Sequence, residues 1–298
     1  MNQSAPPTKA QSPIKALANN GMLLMFASVA FFATSNILVK LAGDTLSTPA
    51  SIITTSRFAF GFLLAALLFR GKEKVSFKSL ITNPWLISRG LIGGTGVYFY
   101  NECIINMDAG RTTVLISSYP IFAILLAPLF VNESIKKKQL GYCLLAFIGL
   151  IAMTSPSAFA HGVALWDGVA ILVAIASGFV VVIIRKLHKT VNTSTIFISQ
   201  CAYGLLFAAP QATRIDRLPE LNAMMVVLGS SLLVILGQLA MTHGYKTVTV
   251  SKGSSISLLM PVLTTVASIL IFGEKLAPFD LLGASLILFA CFKISTDK

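Results

Sequence analysis

The 298 residues are 55% hydrophobic and 11% charged, and their mean hydropathy is +0.81. A water-soluble domain carries about a quarter charged residues, so this composition excludes an ordinary soluble protein and indicates a chain that lies mostly in lipid. The formal net charge of +12 does not indicate a nucleic-acid-binding protein, because the basic residues lie between hydrophobic runs and not in one patch.

The chain begins with a polar, proline-containing segment, residues 1–20, which predicts a disordered cytoplasmic tail. Nine similar apolar runs follow the first one, so the first is interpreted as a span and not as a cleaved leader. A helix needs about 20 apolar residues to cross the hydrocarbon, and backbone groups in lipid must pair within their own segment. We therefore expect ten transmembrane helices. The predicted spans are 21–42, 49–69, 85–107, 111–131, 139–156, 165–185, 194–213, 222–244, 251–272 and 278–294.

Lysine and arginine are distributed unevenly between the two ends of these spans. With a cytoplasmic N-terminus, 17 of the 23 lie on the cytoplasmic side, 5 lie outside, and Arg57 lies within span two. An excess of basic residues marks cytoplasmic loops. We expect a multi-pass protein of the cytoplasmic (inner) membrane with both termini in the cytoplasm. The four cysteines all lie inside apolar runs and are interpreted as small buried side chains.

Two sequence matches indicate an internal repeat. SRFAFGFLLAA from Ser56 and SQCAYGLLFAA from Ser199 share six of 11 residues at an offset of 143. A proline that precedes a glutamate by 13 residues occurs in span four and again 141 residues later in span nine. Because each copy holds an odd number of helices, the copies lie inverted in the membrane. We expect an all-α membrane protein of two inverted five-helix repeats, 21–156 (spans one to five) and 157–294 (spans six to ten).

Three stretches carry a family resemblance: RFAFGFLLAALLF from Arg57, AGRTTVLISSYPIFAILLAPLFVNESI from Ala109, and VSKGSSISLLMPVLTTVASILIFGEKL from Val250. On these residues the chain resembles the EamA branch of the drug/metabolite transporter superfamily, over roughly 21 to 294. Asn132-Glu133 replaces the first Gly-Glu of the family pattern, which is expected to affect only a loop turn.

The resemblance implies two five-helix repeats around a central cavity lined mainly by spans one, three, four, six, eight and nine. It implies no particular substrate, because members move amino acids, nucleotide-like cofactors, sugars or drugs. Similarity to the plastid phosphate translocators would imply a Lys-Arg pair in the middle of span nine, and span nine carries none, which counts against phosphosugars.

Glu102 is an ionisable residue about five residues from the predicted outer end of span three, or roughly 8 Å along the helix. Charged side chains within a membrane normally face a cavity or a charged partner. In one interpretation Glu102 forms a structural ion pair with Arg57 or Lys40. In the other it lines the substrate route, where it binds an amine or exchanges a proton.

The repeat relates this region to span eight. At an offset of 141, Asn101 and Glu102 correspond to Thr242 and His243. Ionisable groups at equivalent positions on opposite sides of the membrane predict two gates, and histidine titrates near neutrality. The alternative is an interfacial histidine at a helix end.

Pro120 and Pro261 lie inside spans four and nine, where each leaves a carbonyl group one turn earlier without its helical partner. Opened helices near mid-membrane are favoured binding places in transporters, so these prolines are predicted hinges. The neighbouring serines either compensate the free carbonyl groups or contact a ligand. They are Ser117, Ser118, Ser254 and Ser255.

Further candidates are polar side chains near mid-span. The amides of Asn36 and Gln238 require polar partners in an apolar surrounding. Tyr98, Tyr100 and Tyr119 are predicted to form an aromatic wall, although interfacial tyrosines are equally common.

The sequence carries no H-E-x-x-H motif, no G-x-S-x-G motif and no spaced Asp cluster, so we expect neither an enzyme nor a metal site. We expect a secondary-active transporter that moves a small metabolite, amino-acid-like or similarly polar, by alternating access through a central cavity. The alternatives are a carrier of nucleotide-like cofactors such as S-adenosylmethionine and a lipid flippase on the same fold. Expected partners are the small-molecule substrate, membrane lipid, and a proton or exchanged counter-substrate, without nucleic acid or cofactor.

Overall fold

The computed structural model describes residues 20–46, 48–69, 75–106, 109–134, 136–153, 165–213, 219–272 and 278–296. Within these ranges every regular element is a helix. Apart from Asn20, the predicted cytoplasmic tail lies outside them. Asn20 caps the first helix, because its side chain accepts a hydrogen bond from the backbone N–H of Leu23 at 3.3 Å.

The helices follow the predicted spans closely. In chain order they are α1 (Gly21–Lys40, continued by a π-helical turn over Leu41–Thr45), α2 (Ala50–Leu68), α3 (Phe77–Thr82), α4 (Pro84–Asn106), α5 (Ala109–Ile116), α6 (Tyr119–Val131), α7 (Lys137–Ala152), α8 (Leu165–Leu187), α9 (Thr193–Ala212), α10 (Leu221–Gly244), α11 (Val250–Ile256), α12 (Leu259–Phe272) and α13 (Pro278–Thr296). Each predicted span contains helix, and the short α3 before span three was not predicted.

Among the described residues, five helical segments are long and apolar enough to cross a membrane by length and composition: Gly21–Gly43, Val114–Val131, Leu165–Leu187, Leu221–Gly244 and Val250–Ala267. Two shorter apolar helices are Ser51–Leu67 and Leu281–Thr296. Large apolar side chains are exposed on the outside of the bundle, for example Leu129 at 73% and Leu206 at 72%. Such a surface needs lipid and not water as its solvent. The protein is therefore an all-helical, multi-pass membrane protein.

Two of the spans are interrupted. Span four consists of α5 and α6 with a turn at Ser117 and Ser118, and span nine consists of α11 and α12 with a turn at Ser257 and Leu258. Both turns lie just before a proline, whose missing N–H and ring prevent the regular hydrogen-bond pattern of the helix from continuing.

Helices α2 and α9 pack directly against each other through the repeated S-x-x-A-x-G motif. A Cβ atom on Gly61 would lie 2.9 Å from Sγ of Cys201, and one on Gly204 would lie 2.7 Å from the Phe58 ring. Gly61 and Gly204 are equivalent in the repeat, as are Phe58 and Cys201, so the two contacts are reciprocal. Since the earlier residue of α2 meets the later residue of α9, these helices run antiparallel.

Similar close approaches join other helices of the two halves. The hydroxyl of Ser35 on α1 donates to the carbonyl oxygen of Ser230 on α10 at 3.0 Å. On α4, a Cβ atom at Gly94 would lie 2.5 Å from Cα of Gly204 on α9. Small residues at these contacts let the helix backbones approach closely, which drives helix association in lipid.

The packing at Gly94 predicts that Gly94→Ala lowers the melting temperature of the purified protein. The added methyl group meets backbone atoms of Gly204, which cannot move without shifting α9. Overpacking of this kind costs about 1–3 kcal/mol.

Gly96→Ala on the same helix is the matched control, because its Cβ atom would meet nothing within 4 Å. We expect this variant to melt at the wild-type temperature or above it, since alanine favours helix over glycine by about 1 kcal/mol. Equal melting of the two variants would contradict the described α4–α9 contact.

Candidate functional site

A narrow cavity of ≈ 10 Å³ lies between α2, α9 and α10, with room for about one water molecule. Three polar side chains line it: Arg57 from α2, Gln200 from α9 and Gln238 from α10. Apolar side chains and the Cys201 thiol complete the wall. Two predicted site residues, Arg57 and Gln238, are thus brought together. Arg57 and Gln200 occupy equivalent positions in the repeat, one residue after the serine of each motif.

Arg89 lies beside this cavity. Its side chain on α4 is fully buried, at 0% exposure, and its Nη2 donates to Oε1 of Gln200 at 2.8 Å. Nε and Nη1 of Arg89 have no hydrogen-bond partner within the described residues. The charge of Arg89 interacts with that of Arg57, and both arginines lie within electrostatic range of Cys201. The 17 basic residues assigned to the cytoplasmic side include Arg89 as an orientation signal. This assignment is wrong for Arg89, which lies within α4 and is buried.

The two helix interruptions lie in the core, where α6 packs against α11. At the first, the Ser118 hydroxyl donates to the carbonyl oxygen of Leu115 at 2.6 Å. At the second, the Ser254 hydroxyl donates to the carbonyl oxygen of Val250 at 2.6 Å. These hydroxyl groups thus bond to carbonyl groups of their own helical turns, and not to those of Ile116 and Ser257, the residues four positions before each proline.

The other predicted residues at the interruptions are also in the core. Ser117, Ser255 and Pro120 are buried, Pro261 is buried, and Tyr119 packs against the main hydrophobic cluster. The carbonyl oxygen of Ser255 accepts a hydrogen bond from the Cys291 thiol at 3.3 Å.

At one end of the bundle, five residues form what we name the closing cluster: Glu133, Arg185, Tyr245, Lys246 and Val250. Nε of Arg185 donates to Oε1 of Glu133 at 2.9 Å. The side chain of Arg185 is 25% exposed and that of Glu133 is 17% exposed. Nη1 of Arg185 donates to the carbonyl oxygens of Tyr245 at 2.9 Å and Lys246 at 2.7 Å. The backbone N–H of Val250 donates to Oε2 of Glu133 at 2.8 Å. Glu133 follows α6 in the first half of the chain, and the other members of the cluster lie at the ends of α8, α10 and α11 in the second half, so the cluster joins the two halves.

Asn132 explains how Glu133 reaches its partners. Asn132 has φ 58 and ψ 31, a left-handed conformation that ends α6. Asparagine tolerates this conformation better than most residues, and glycine adopts it freely. The replacement of Gly-Glu by Asn-Glu therefore keeps the turn, as expected.

Aromatic side chains extend this end of the bundle. Trp85, Phe130 and Phe179 pack edge to face, with ring centroids 5.1 to 6.4 Å apart. Nζ of Lys186 lies 3.7 Å from the centroid of the Trp85 ring, a cation–π contact.

The histidines of α8 and α10 lie near the same end. His188 follows α8, and its Nε2 donates to the carbonyl oxygen of Thr242. Nδ1 of His243 is 3.1 Å from the hydroxyl of Thr193. His243, the predicted gate residue, is thus at a junction of α9 and α10.

The remaining predicted residues lie elsewhere. Tyr98 packs edge to face on Phe207, with ring centroids 5.3 Å apart. Asn36 is partly buried on α1 and Glu102 is partly buried on α4, while the side chains of Lys40 and Asn101 lie outside the described part of the structure. The ion pair of Glu102 with Arg57 or Lys40 stays a prediction.

Sequence reasoning missed four important residues: Arg89, Gln200, Glu133 and Arg185. Gln200 had a readable signal, since it is the repeat equivalent of Arg57. Arg89 is a single cation in an otherwise apolar run. The pairing of Glu133 with Arg185 joins residues 52 positions apart, and no local pattern predicts it.

These features define a membrane protein built from two similar helical halves, with polar residues buried where the halves meet. The family model of the EamA-like transporter family matches the chain twice, over residues 19–155 and 164–296. The chain therefore belongs to the EamA-like transporter family.

Relatives agree with this assignment. The chain is 25% identical over 283 residues to the pseudopaline exporter CntI of Pseudomonas aeruginosa, which covers 95% of this chain and 98% of that protein. It is 25% identical over 280 residues to an uncharacterized transporter of Archaeoglobus fulgidus, at 91% and 96% coverage. A solved crystal structure with 17% sequence identity superposes with a TM-score of 0.76 over 93% of this chain and 96% of that chain, so the fold is shared. Family and relatives point to a transporter and not to an enzyme.

The closing cluster predicts energetic coupling between Glu133 and Arg185. Glu133→Gln and Arg185→Gln should each lower the melting temperature, because each leaves a partly buried charge without its partner. The double variant should melt higher than additivity of the single changes predicts, as contacting residues couple by about 0.5–3 kcal/mol. Lys189→Gln, an exposed charge change nearby, is the control and should have little effect. Strictly additive effects would mean that the ion pair contributes nothing.

His188 predicts a pH dependence of stability. Burial lowers the pKa of His188 to about 4 from 6.5, and the positive charges of His243, Lys246 and Arg185 add to this, while the bond to Thr242 opposes it. The neutral ring therefore stabilises the fold fully above pH 6.5, and this contribution is lost as the pH falls towards about 4.

We expect the melting temperature of the wild type to fall more steeply across this range than that of His188→Gln. Parallel curves for the two proteins would exclude His188 as the titrating group.

Proposed function

We propose that this protein is a secondary-active carrier that moves a small polar organic solute, amino-acid-like in size, across the cytoplasmic membrane by alternating access. The observation that carries the proposal is the reciprocal, antiparallel contact between α2 and α9. Reciprocal contacts between equivalent residues are the mark of a twofold axis. The contact supports two inverted repeats, 21–156 and 157–294, and the double match of the family model supports the same division.

The helix packing supports exchange of roles between the halves. Helix contacts occur in pairs that the repeat relates. The contact of α1 with α10 is equivalent to that of α8 with α4, and the contact of α2 with α10 is equivalent to that of α9 with α4. Helix α7 packs directly on α13, its own counterpart in the repeat. In an inverted repeat, one half can adopt the conformation of the other, which produces inward and outward states of similar energy.

In a carrier that is held in one conformation, the helices pack more closely at one end of the bundle than at the other. The two ends of this bundle differ in this way. α6 packs on α11 beneath the closing cluster, whereas within the described residues the counterparts α5 and α12 pack less extensively. With a cytoplasmic N-terminus the closed end faces the cytoplasm. Glu274, the repeat equivalent of Glu133, lies outside the described residues.

The buried polar residues supply the route for the solute. We assign substrate contact to Arg57 and Gln238 at the cavity, and hinge motion to Pro120 and Pro261 at the interruptions. The half-opened helices there offer serine hydroxyl groups and backbone groups to a solute once the halves separate. The name of the Pseudomonas relative, an exporter of pseudopaline, supports a small organic molecule as cargo.

Counterflow in proteoliposomes tests the proposal. Vesicles are preloaded with one class of unlabelled solute, and labelled tracers of the same class are added outside. The three classes tested are amino acids, sugars, and nucleosides together with S-adenosylmethionine. A carrier exchanges solute across the membrane, so we expect transient accumulation of a tracer above equilibrium. Pro120→Ala and Pro261→Ala should slow this exchange, because a continuous helix replaces each hinge.

Pro128→Ala, which removes a proline within α6 away from the interruption, is the matched control and should exchange like the wild type. Accumulation only of the nucleoside class would support the cofactor-carrier alternative. Ohmic flux would indicate a channel, solute conversion an enzyme, and lipid scrambling without solute exchange a flippase. Each of these three results contradicts the proposed carrier.

A further inference from the structure

Two cations lie in the interior of this bundle. Arg57 lines the cavity between α2, α9 and α10, and Arg89 is fully buried beside Gln200 of the same cavity. Most arginines of membrane proteins lie at the interface, where their charge is hydrated. These two instead lie inside the bundle, Arg57 on α2 and Arg89 on α4.

Within the described residues, no acidic side chain acts on Arg89, the more deeply buried of the two charges. The groups that act electrostatically on them are Cys201, Tyr100 and the other arginine. None of these is a carboxylate, and two like charges repel each other. A buried ion costs several kcal/mol unless a counter-charge and hydrogen bonds offset that cost.

The hydrogen bonding of Arg89 is also incomplete. Gln200 accepts one hydrogen bond from Nη2, which fixes the guanidinium, but Nε and Nη1 are buried without a partner in the described part of the chain. Each unsatisfied buried donor destabilises the folded protein. Gly93 provides the space for this arrangement, because a Cβ atom there would clash with Nη1.

The position is suited to a transported ligand. Arg57 and Gln200 are equivalent residues of the two repeats, so the cavity lies on the contact about which the halves are related. A site at such a place can face either side of the membrane in turn. In the conformation described here the cavity admits about one water molecule, so a solute enters only when the halves separate.

We propose that Arg57 and Arg89, positioned by Gln200, form an anion-binding site, and that the transported solute carries a carboxylate or phosphate group. This inference rests on the proposed carrier function and deepens it by naming the chemical class of the substrate. Guanidinium groups bind both anions through charge-assisted hydrogen bonds. Gln238 offers amide contacts to the rest of the solute.

Thermal-shift binding with matched ligands tests the inference. Purified protein in neutral detergent at constant ionic strength is titrated with succinate, L-alanine and glucose 6-phosphate. Succinamide, L-alaninamide and glucose, which lack the anionic group, are the controls. We expect saturable stabilisation by at least one acid and none by its control, because a ligand stabilises only the state that binds it. Succinate and alanine report a carboxylate site, and glucose 6-phosphate reports a phosphate site.

Variants connect the binding to the arginines. Arg57→Gln and Arg89→Gln should each weaken binding of the acid at least about tenfold, since each removes charge-assisted hydrogen bonds. Lys189→Gln removes an exposed charge and should bind like the wild type. Without ligand, Arg89→Gln should melt at the wild-type temperature or above it, because it removes an uncompensated buried charge. A purely structural arginine would give a lower melting temperature.

If Arg89→Gln does not fold, Gly93→Ala retains both arginines and displaces the Arg89 guanidinium. It should weaken acid binding several-fold and leave the melting temperature of the free protein nearly unchanged.

The proposal is overturned if none of the three acids stabilises the wild type, or if acid binding survives in both arginine variants. Counterflow of a neutral solute at equal rates in wild type and Arg89→Gln would refute the anion site while the carrier stands. Acid binding without any exchange would refute the carrier and keep the site.

Discussion

Helices α2 and α9 lie so close that a Cβ atom at Gly61 or Gly204 would overlap a side chain of the other helix, and the rest of the architecture depends on this contact. Gly61 faces the Cys201 thiol while Gly204 faces the Phe58 ring, so each helix receives the larger side chain of the other. The same two helices bring Arg57 and Gln200 to one cavity. In lipid there is no hydrophobic force between apolar helices, so close packing and buried polar contacts hold the bundle together.

The polar contacts of the bundle differ in strength between its centre and its closed end. At the closed end, each charge of the ion pair between Glu133 and Arg185 is also bonded to backbone groups. Both side chains are partly exposed, so water can reach these bonds. At the centre, Gln200 is the hydrogen-bond partner of Arg89 within the described residues, and Arg89 has no access to solvent. The anion that we propose as ligand would supply the missing partner, whereas the charges of Glu133 and Arg185 in the closing cluster are already bonded.

Much of the helical framework was predictable from the sequence, and less of the site was. Apolar runs placed the helices, and the repeated motif at Ser56 and Ser199 identified the residues that meet between α2 and α9. Pro120 marked a real interruption of its span. Arg89 was misread as an orientation signal, because a lone arginine near the start of an apolar run looks the same whether it points to the interface or inward.

The sequence by itself determined that the chain lies in lipid, roughly where most of its helices lie, and that its two halves resemble each other in sequence. These properties depend on local composition and spacing, which each segment carries alone. Only the tertiary structure decided which charges meet: Glu133 with Arg185, and Arg57 with Arg89. Such pairs join helices far apart in the chain, and their geometry depends on how the helices pack and on which end of the bundle is closed.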